Sequence, residues 1–169
     1  GKGEPVVLLH GWMSDSSMWG PLDTNPAAEE YQLIAVDLRG HGKSDKPHEP
    51  EKYGPEMAED VVRLLDHLEL PKAHLVGYSM GGYGTFMFLN SEPRTFAAGI
   101  PIAGGCSVAI AQNLRKTPLW IFHGEKDDVV KPDDSRAIAK ALEKMKAPVK
   151  YTEFPGEGHG IPGKVNNDP

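Results

Sequence analysis

Leu75-Val76-Gly77-Tyr78-Ser79-Met80-Gly81-Gly82 is the stretch on which the reading of this chain turns. A short apolar run ends at Gly-x-Ser-x-Gly, and residues with helical spacing follow. To lift a serine hydroxyl clear of a sheet, the backbone must reverse sharply between strand and helix, which puts the serine in a strained region. The reversal also brings strand and helix too close for side chains two residues to either side. Gly77 and Gly81, with no Cβ, leave that room. Because the residue after the serine opens a helix, the Met80 N–H has no intrahelical acceptor and is free to meet a developing negative charge. Two phosphate-binding loops are also glycine-rich, and both fail here. A Walker-type loop needs Gly-Lys-Ser/Thr, but Gly82-Tyr83-Gly84-Thr85 has no lysine. The dinucleotide pattern needs a third glycine where Met87 stands.

Outward from this stretch, the chain alternates strand and helix. Val6–Leu9, Leu33–Val36, His74–Tyr78, Ala97–Ala103, Pro118–Phe122 and Val149–Phe154 read as strands, several as continuous apolar runs suited to burial on both faces. An irregular helix is expected from Ser16 to about Glu30, weakened by Pro21 and Pro26. A firmer one starts at Pro55 and carries Met57, Val61, Leu64, Leu65 and Leu68 at helical spacing until Pro71. Met80 to about Asn90 forms the next. Pro132 opens another, with Asp133 and Asp134 in its dipole-favoured first turn and Ile138, Ala141, Leu142 and Met145 on one face. Gly104 to Thr117 reads as a loop with at most a short helix. The alternation predicts a single α/β domain over residues 1–169, with about six mainly parallel strands and helices on both faces.

Bulk properties narrow the function. With 169 residues the chain can bury one sizeable core. The formal net charge of −6 gives no support to nucleic-acid or anionic-membrane binding. No apolar run approaches the length of a bilayer span. The single cysteine, Cys106, excludes an internal disulfide and a cysteine-rich metal site, and it reads as a small packed residue. Gly1 is followed by no signal-like segment, so a processing boundary is expected there, and reducing and oxidising compartments suit the sequence equally.

In an open parallel sheet, ligands bind beyond the carboxyl ends of the strands. His10, Asp37, Ser79, Asp127 and His159 all lie just past predicted strand ends. A serine becomes a strong nucleophile when an imidazole takes its proton and a buried carboxylate holds that imidazole in one tautomer. His159 stands between glycines after the last strand, where a loop can carry it over the sheet. His10 and His123 each precede a glycine and are expected to brace loops, while Asp37 and Arg39 are expected to form a loop-bracing ion pair. His41, His48, His67 and His74 read as surface or structural, and no two histidines have metal-ligand spacing.

Over nearly all its length the chain resembles the α/β-hydrolases, in which the order nucleophile, acid, histidine is the expected one. Its first eighty residues resemble the cofactor-free haloperoxidase and aryl-esterase branch, through His10-Gly11-Trp12, Asp37-Leu38-Arg39-Gly40-His41-Gly42-Lys43-Ser44-Asp45 and the Ser79 turn. From Gly81 onward it is more similar to feruloyl-esterase-like and predicted-peptidase hydrolases, through Gly81-Gly82-Tyr83-Gly84-Thr85 and His123-Gly124-Glu125-Lys126-Asp127-Asp128-Val129-Val130. The resemblance implies Ser79 as nucleophile, His159 as base and Asp127 as acid, three residues after Gly124, with Asp128 as the competitor. It also implies that the Trp12 and Met80 amides form an oxyanion hole, and that the protein works without cofactor or metal on small-molecule esters. Perhydrolysis, peroxide-dependent halogenation, peptide hydrolysis and non-catalytic ligand binding remain alternatives. About fourteen residues, Gly104 to Thr117, separate the fourth and fifth strands, too few for the family's helical cap. Relative to the family, the leading antiparallel strands and the helix after the histidine are missing. Only ten residues follow His159, so its loop is expected to be weakly anchored unless the tail packs back.

Overall fold

The six strands of the computed structural model, which describes residues 1–165, form one sheet in which every neighbouring pair is parallel. They are β1 (Glu4–Leu9), β2 (Tyr31–Val36), β3 (Ala73–Tyr78), β4 (Phe96–Ile102), β5 (Leu119–Gly124) and β6 (Val149–Phe154), in the spatial order β2-β1-β3-β4-β5-β6. The chain steps from β1 to β2 in one direction, then crosses back over β1 and runs from β3 to β6 in the other.

The handedness of parallel connections decides where the helices go. A right-handed crossover that moves one way along a sheet lies on the opposite face from one that moves the other way. The four connections from β2 to β6 carry α1 (Pro55–His67), α2 (Met80–Ser91), α3 (Ala111–Leu114) and α4 (Asp133–Lys144). All four pack on the face formed by Val7, Leu9, Leu75, Leu119 and Ile121. There Val61, Leu65, Phe86, Leu89, Ile138 and Leu142 are almost wholly buried.

The β1–β2 connection covers the other face, and the helix expected from Ser16 to Glu30 is instead three short 3-10 segments. These are Ser16–Trp19, Leu22–Thr24 and Pro26–Glu29. Pro21 and Pro26 each lack an N–H, and a continuous α-helix cannot pass through either without losing a bond and clashing with the turn before it. Asn25 caps the third segment by accepting the Ala27 N–H at 3.0 Å. Farther along this face, Ile102, Ala103, Phe122 and Ile161 form a second buried cluster, with Val76, Ile100, Phe154 and Val165 packed around it. Ile161 precedes the short helix α5 (Pro162–Val165) and is fully buried. Of the residues after His159, Ile161 and Val165 therefore pack back and anchor the loop that carries His159; residues 166–169 lie outside the described residues.

The remaining segments match the sequence reading to within a residue or two at most ends. Among residues 104–117 only a 3-10 turn (Val108–Ile110) and α3 are helical, and no cap domain is evident among the described residues. Among the described residues, no helix is long and apolar enough to cross a membrane.

Two loops at the carboxyl edge are tied together by one carboxylate. Asp37, just after β2, accepts the Ser16 N–H at 2.7 Å with Oδ1 and the Lys43 N–H at 2.7 Å with Oδ2. A Cβ on Gly42, whose φ is 50°, would overlap that carboxylate. The expected pair with Arg39 does not form. Arg39 turns instead to Asp60 on α1, donating at 2.8 and 2.7 Å to its two oxygens, the fork geometry that suits a guanidinium and a carboxylate. The backbone amides of Lys43 and Ser16 hold the Asp37 carboxyl down at about 2.

Replacing Ile161 by Ala should lower stability by about 2–4 kcal/mol in urea denaturation, the usual cost of emptying a fully buried site. Asp37→Asn should lower the thermal midpoint by about 3–6 °C at neutral pH, because one charged acceptor is lost and a donor is left facing a donor. With its folded value depressed to about 2, the Asp37 carboxylate stabilises the fold above its ordinary carboxyl range, and that contribution disappears as pH falls toward 2. The midpoint difference between the native chain and Asp37→Asn should therefore close as pH falls, as thermal melts across an acid pH series will show.

Candidate active site

The reversal in strand order places the carboxyl ends of β1 and β3 side by side at a switch point, where a crevice opens. Ser79 directly follows β3 and directly precedes α2. Its backbone takes φ 56° and ψ −112°, in the region that L-residues avoid. Two bonds hold it there. The Ser79 N–H donates to the Ile102 carbonyl at 2.9 Å, and the Tyr83 N–H donates to the Ser79 carbonyl at 3.1 Å. The glycines on either side are required by contact rather than by torsion. A Cβ on Gly77 would overlap the Gly81 carbonyl and the Thr85 hydroxyl, and one on Gly81 would overlap the carbonyl of Leu9 on the neighbouring strand.

Asp127 lies in the turn after β5, and its side chain is fully buried. One oxygen, Oδ1, accepts the N–H groups of Val129 and Val130 at 3.0 and 2.8 Å, while Oδ2 accepts the His159 Nδ1–H at 2.7 Å. Burial pushes this carboxyl upward, but the His159 bond and the two amides outweigh it, so the group sits below its ordinary range and is ionised at neutral pH. The other ring nitrogen, His159 Nε2, accepts the Ser79 hydroxyl at 2.9 Å. Three residues from three strand ends, Ser79, Asp127 and His159, thus form one continuous line of hydrogen bonds. Asp128, the alternative acid, is exposed.

The loops bearing Asp127 and His159 are stitched to each other. The Lys126 N–H donates to the Glu157 carbonyl at 2.8 Å, and the Gly156 N–H donates to the Glu125 carboxylate at 2.7 Å. A Cβ on Gly124 would overlap the Gly158 carbonyl. The glycine that ends β5 is what lets the histidine loop approach.

Two contributors to this arrangement were not foreseen from the sequence. Tyr78 donates its hydroxyl to the His159 carbonyl at 3.3 Å, and the two rings lie 5.1 Å apart. Burial, then the charge of Asp127, raises the Tyr78 hydroxyl pKa and keeps it a donor. His123 braces the Val130 carbonyl through Nε2–H at 2.8 Å, as a loop-bracing histidine should. The same nitrogen also lies 3.3 Å from Asp127 Oδ2, while Nδ1 faces Ser135 Oγ at 2.9 Å. Nothing in a strand-end His-Gly pair signals that contact. His10 braces as expected, donating from Nδ1 to the Gly11 carbonyl at 2.8 Å and accepting the Leu38 N–H at Nε2 at 3.0 Å.

Trp12 and Met80 face the same crevice, and among the described residues neither amide donates to another backbone group. The Trp12 side chain is 69% exposed, with the edge of its ring against His41. Gly11 lies against Ser79 and the Tyr78 ring, which sets the β1 loop beside the serine.

Comparisons with known proteins divide the chain much as its own motifs do. A family model described as "alpha/beta hydrolase fold" matches residues 4–110, and one described as "Prolyl oligopeptidase family" matches residues 105–168. A dihydrolipoyllysine-residue acetyltransferase component of the acetoin cleaving system from Pseudomonas putida is 48% identical over 97 residues, covering 57% of this chain and 25% of the relative. Dipeptidyl aminopeptidase BIII of Pseudoxanthomonas mexicana is 26% identical across 96% of this chain and 31% of its own length. The chain spans between about a fifth and a third of the length of the curated relatives it is compared with. A solved structure of a thermophilic esterase from Thermogutta terrifontis superposes with a TM-score of 0.79 at 21% identity, covering 99% of this chain and 88% of the other. The first family model spans more than half of the residues, and the solved structure shares the sheet, so the chain belongs to the alpha/beta hydrolase fold family.

Proposed function

We propose that the protein is a serine hydrolase acting on carboxylic esters, with Ser79 as nucleophile, His159 as base and Asp127 as the acid that orients it. One observation carries this reading: the unbroken line from buried Asp127 through His159 to the Ser79 hydroxyl, at 2.7 and 2.9 Å. Ser79 Oγ attacks the ester carbonyl carbon while His159 Nε2 takes its proton. The carbonyl oxygen gains negative charge and is met by the amides of Trp12 and Met80, donors each worth about 2.7–4 kcal/mol in transition-state stabilisation. The C–O bond to the alcohol breaks, and the proton on His159 passes to the leaving oxygen. Water then attacks the acyl-enzyme with His159 again as base, releasing the acid and restoring Ser79. Asp127 stays ionised throughout, which its depressed pKa supports. On the alcohol side, the absence of a cap among the described residues supports broad tolerance of small and aryl leaving groups.

A second reading, peptide hydrolysis by the same three residues, is favoured by the prolyl oligopeptidase match over residues 105–168. It demands stronger protonation of the leaving group than an ester does. Parallel assays on p-nitrophenyl acetate and an aminoacyl p-nitroanilide separate the two, and turnover of the anilide alone would displace the esterase reading.

Ser79→Ala should lower kcat on p-nitrophenyl acetate by roughly 10⁴–10⁶-fold, with near-native turnover sinking the mechanism. A fluorophosphonate probe should label the native chain at Ser79, whereas a non-catalytic binder would stay unlabelled. Asp127→Asn should cost roughly 10⁴-fold in kcat, because the wrong tautomer of His159 is favoured. The exposed neighbour gives the contrast: Asp128→Asn should stay within about threefold of native, as surface changes away from a site do.

A further inference from the structure

Between the loop that follows β1 and the loop that follows β2 lies a cavity of about 820 Å³, within the range of small-molecule sites. It is lined at one end by Trp12, next to the Gly11 that lies against Ser79, and by Met80, which directly follows Ser79, and it runs along Met13, His41, Tyr53 and Met57. Half of its lining residues carry rings or thioethers. Its charged members are already engaged. Arg39 is spent on Asp60 and on the Lys52 carbonyl at 2.7 Å, Lys46 Nζ on the Gly42 and Ser44 carbonyls at 2.6 and 3.2 Å, and Asp15 on the Ser17 N–H at 2.9 Å.

The cavity is also braced in advance. Asp37 fastens one wall to the other through the Ser16 and Lys43 amides. Tyr53 lies so close beneath Gly40 that a Cβ there would come within 2.9 Å of its ring, and its hydroxyl donates to the Pro47 carbonyl at 2.8 Å.

We propose that this cavity is the acyl subsite and that it selects an uncharged aromatic acyl group; the assignment of the acyl side rests on the esterase reading above. The assignment follows from where the four substituents of the attacked carbon must go. Its oxygen turns to the Trp12 and Met80 amides, Ser79 Oγ occupies one side, and the leaving oxygen must be within reach of His159 Nε2 to receive a proton. No residue of the Asp127 or His159 loops lines the cavity, so the alcohol lies elsewhere and the acyl group enters here. An acetyl group would leave most of that volume empty. A flat ring would fill it against Trp12, His41 and Tyr53, with the three methionine sulfurs at its edges, the contact thioethers make favourably with aromatic rings.

Two p-nitrophenyl esters with the same leaving group test this. The kcat/KM for the phenylacetate ester should exceed that for the acetate ester by about tenfold, the usual worth of filling an apolar pocket. Met13→Ala, at a position 86% exposed and so without consequence for folding, and Met57→Ala should each pull that ratio toward unity. Binding is read separately by titrating ¹³C-methyl-methionine protein with phenylacetamide. The Met13, Met57 and Met80 signals should move while Met18, Met87 and Met145 stay. Equal kcat/KM for the two esters with no movement of the three signals overturns the subsite and leaves the esterase intact. Movement of those signals in a protein that hydrolyses neither ester retains the aromatic site and overturns the esterase.

Discussion

The backbone of Ser79 is held at φ 56°, a conformation costing on the order of 1–3 kcal/mol outside glycine, and the centre of the molecule is built to keep it there. Its carbonyl anchors the first turn of α2 and its amide is fixed to the end of β4. Gly77 and Gly81 let α2 settle onto β3 and onto the Leu9 carbonyl of β1 with no side chain between. Three strands and one helix therefore meet at a single residue. The strain is offset by a packed core in which Leu9, Leu75, Phe86 and Leu89 are wholly buried. The hydroxyl is thus presented from the packed centre of the fold, whereas the groups that face it come from loops.

Those loops are restrained by different means on the two sides of Ser79. On the Asp127 and His159 side, the bonds run between backbone and buried side chains, and Ile161 pins the far end into the second core cluster. On the Trp12 side, a single carboxylate, Asp37, ties the two loops together, and the Arg39–Asp60 fork fastens the second of them to α1. The Leu38 N–H, donating to His10 Nε2 at 3.0 Å, is a second tie between the same two loops. The two loop amides that Asp37 accepts, those of Ser16 and Lys43, lower its pKa.

What could be read from the sequence divides along the same line. Periodicity and the Gly-x-Ser-x-Gly turn are local, and they located the strands, the helices over 55–67, 80–91 and 133–144, and the reversal at Ser79. The difference over residues 16–30 is local too: an irregular helix is expected there despite Pro21 and Pro26, and in the fold the prolines break it into 3-10 segments. The side-chain contacts were not legible in this way. Arg39 stands two residues from Asp37, yet it bonds Asp60 on α1, whose two oxygens take the guanidinium fork while both Asp37 oxygens are already held by backbone amides. His123 reads as one more strand-end histidine, and only the fold of the turn after β5 brings it to Asp127. Choosing Asp127 over Asp128 needed the three-residue count from Gly124. In the fold the difference is plain, since Asp127 turns inward to two amides and an imidazole while Asp128 stays exposed.

The position of the tail changes how the two halves of the chain relate. Ile161, two residues after His159, holds one end of the histidine loop in the second core cluster. Other holds come from outside that segment. Gly124 admits the histidine loop against the end of β5, Glu125 and Lys126 each bond into it, and Tyr78 holds the His159 carbonyl from beside the serine itself. Tyr78 is the direct neighbour of Ser79, so the strained turn that raises the serine also sets the residue that steadies the imidazole. A shift of the β3 end would move nucleophile and brace together and preserve their separation. The 2.9 Å contact between Ser79 and His159 therefore depends less on the length of the tail than on the turn at residues 77–81.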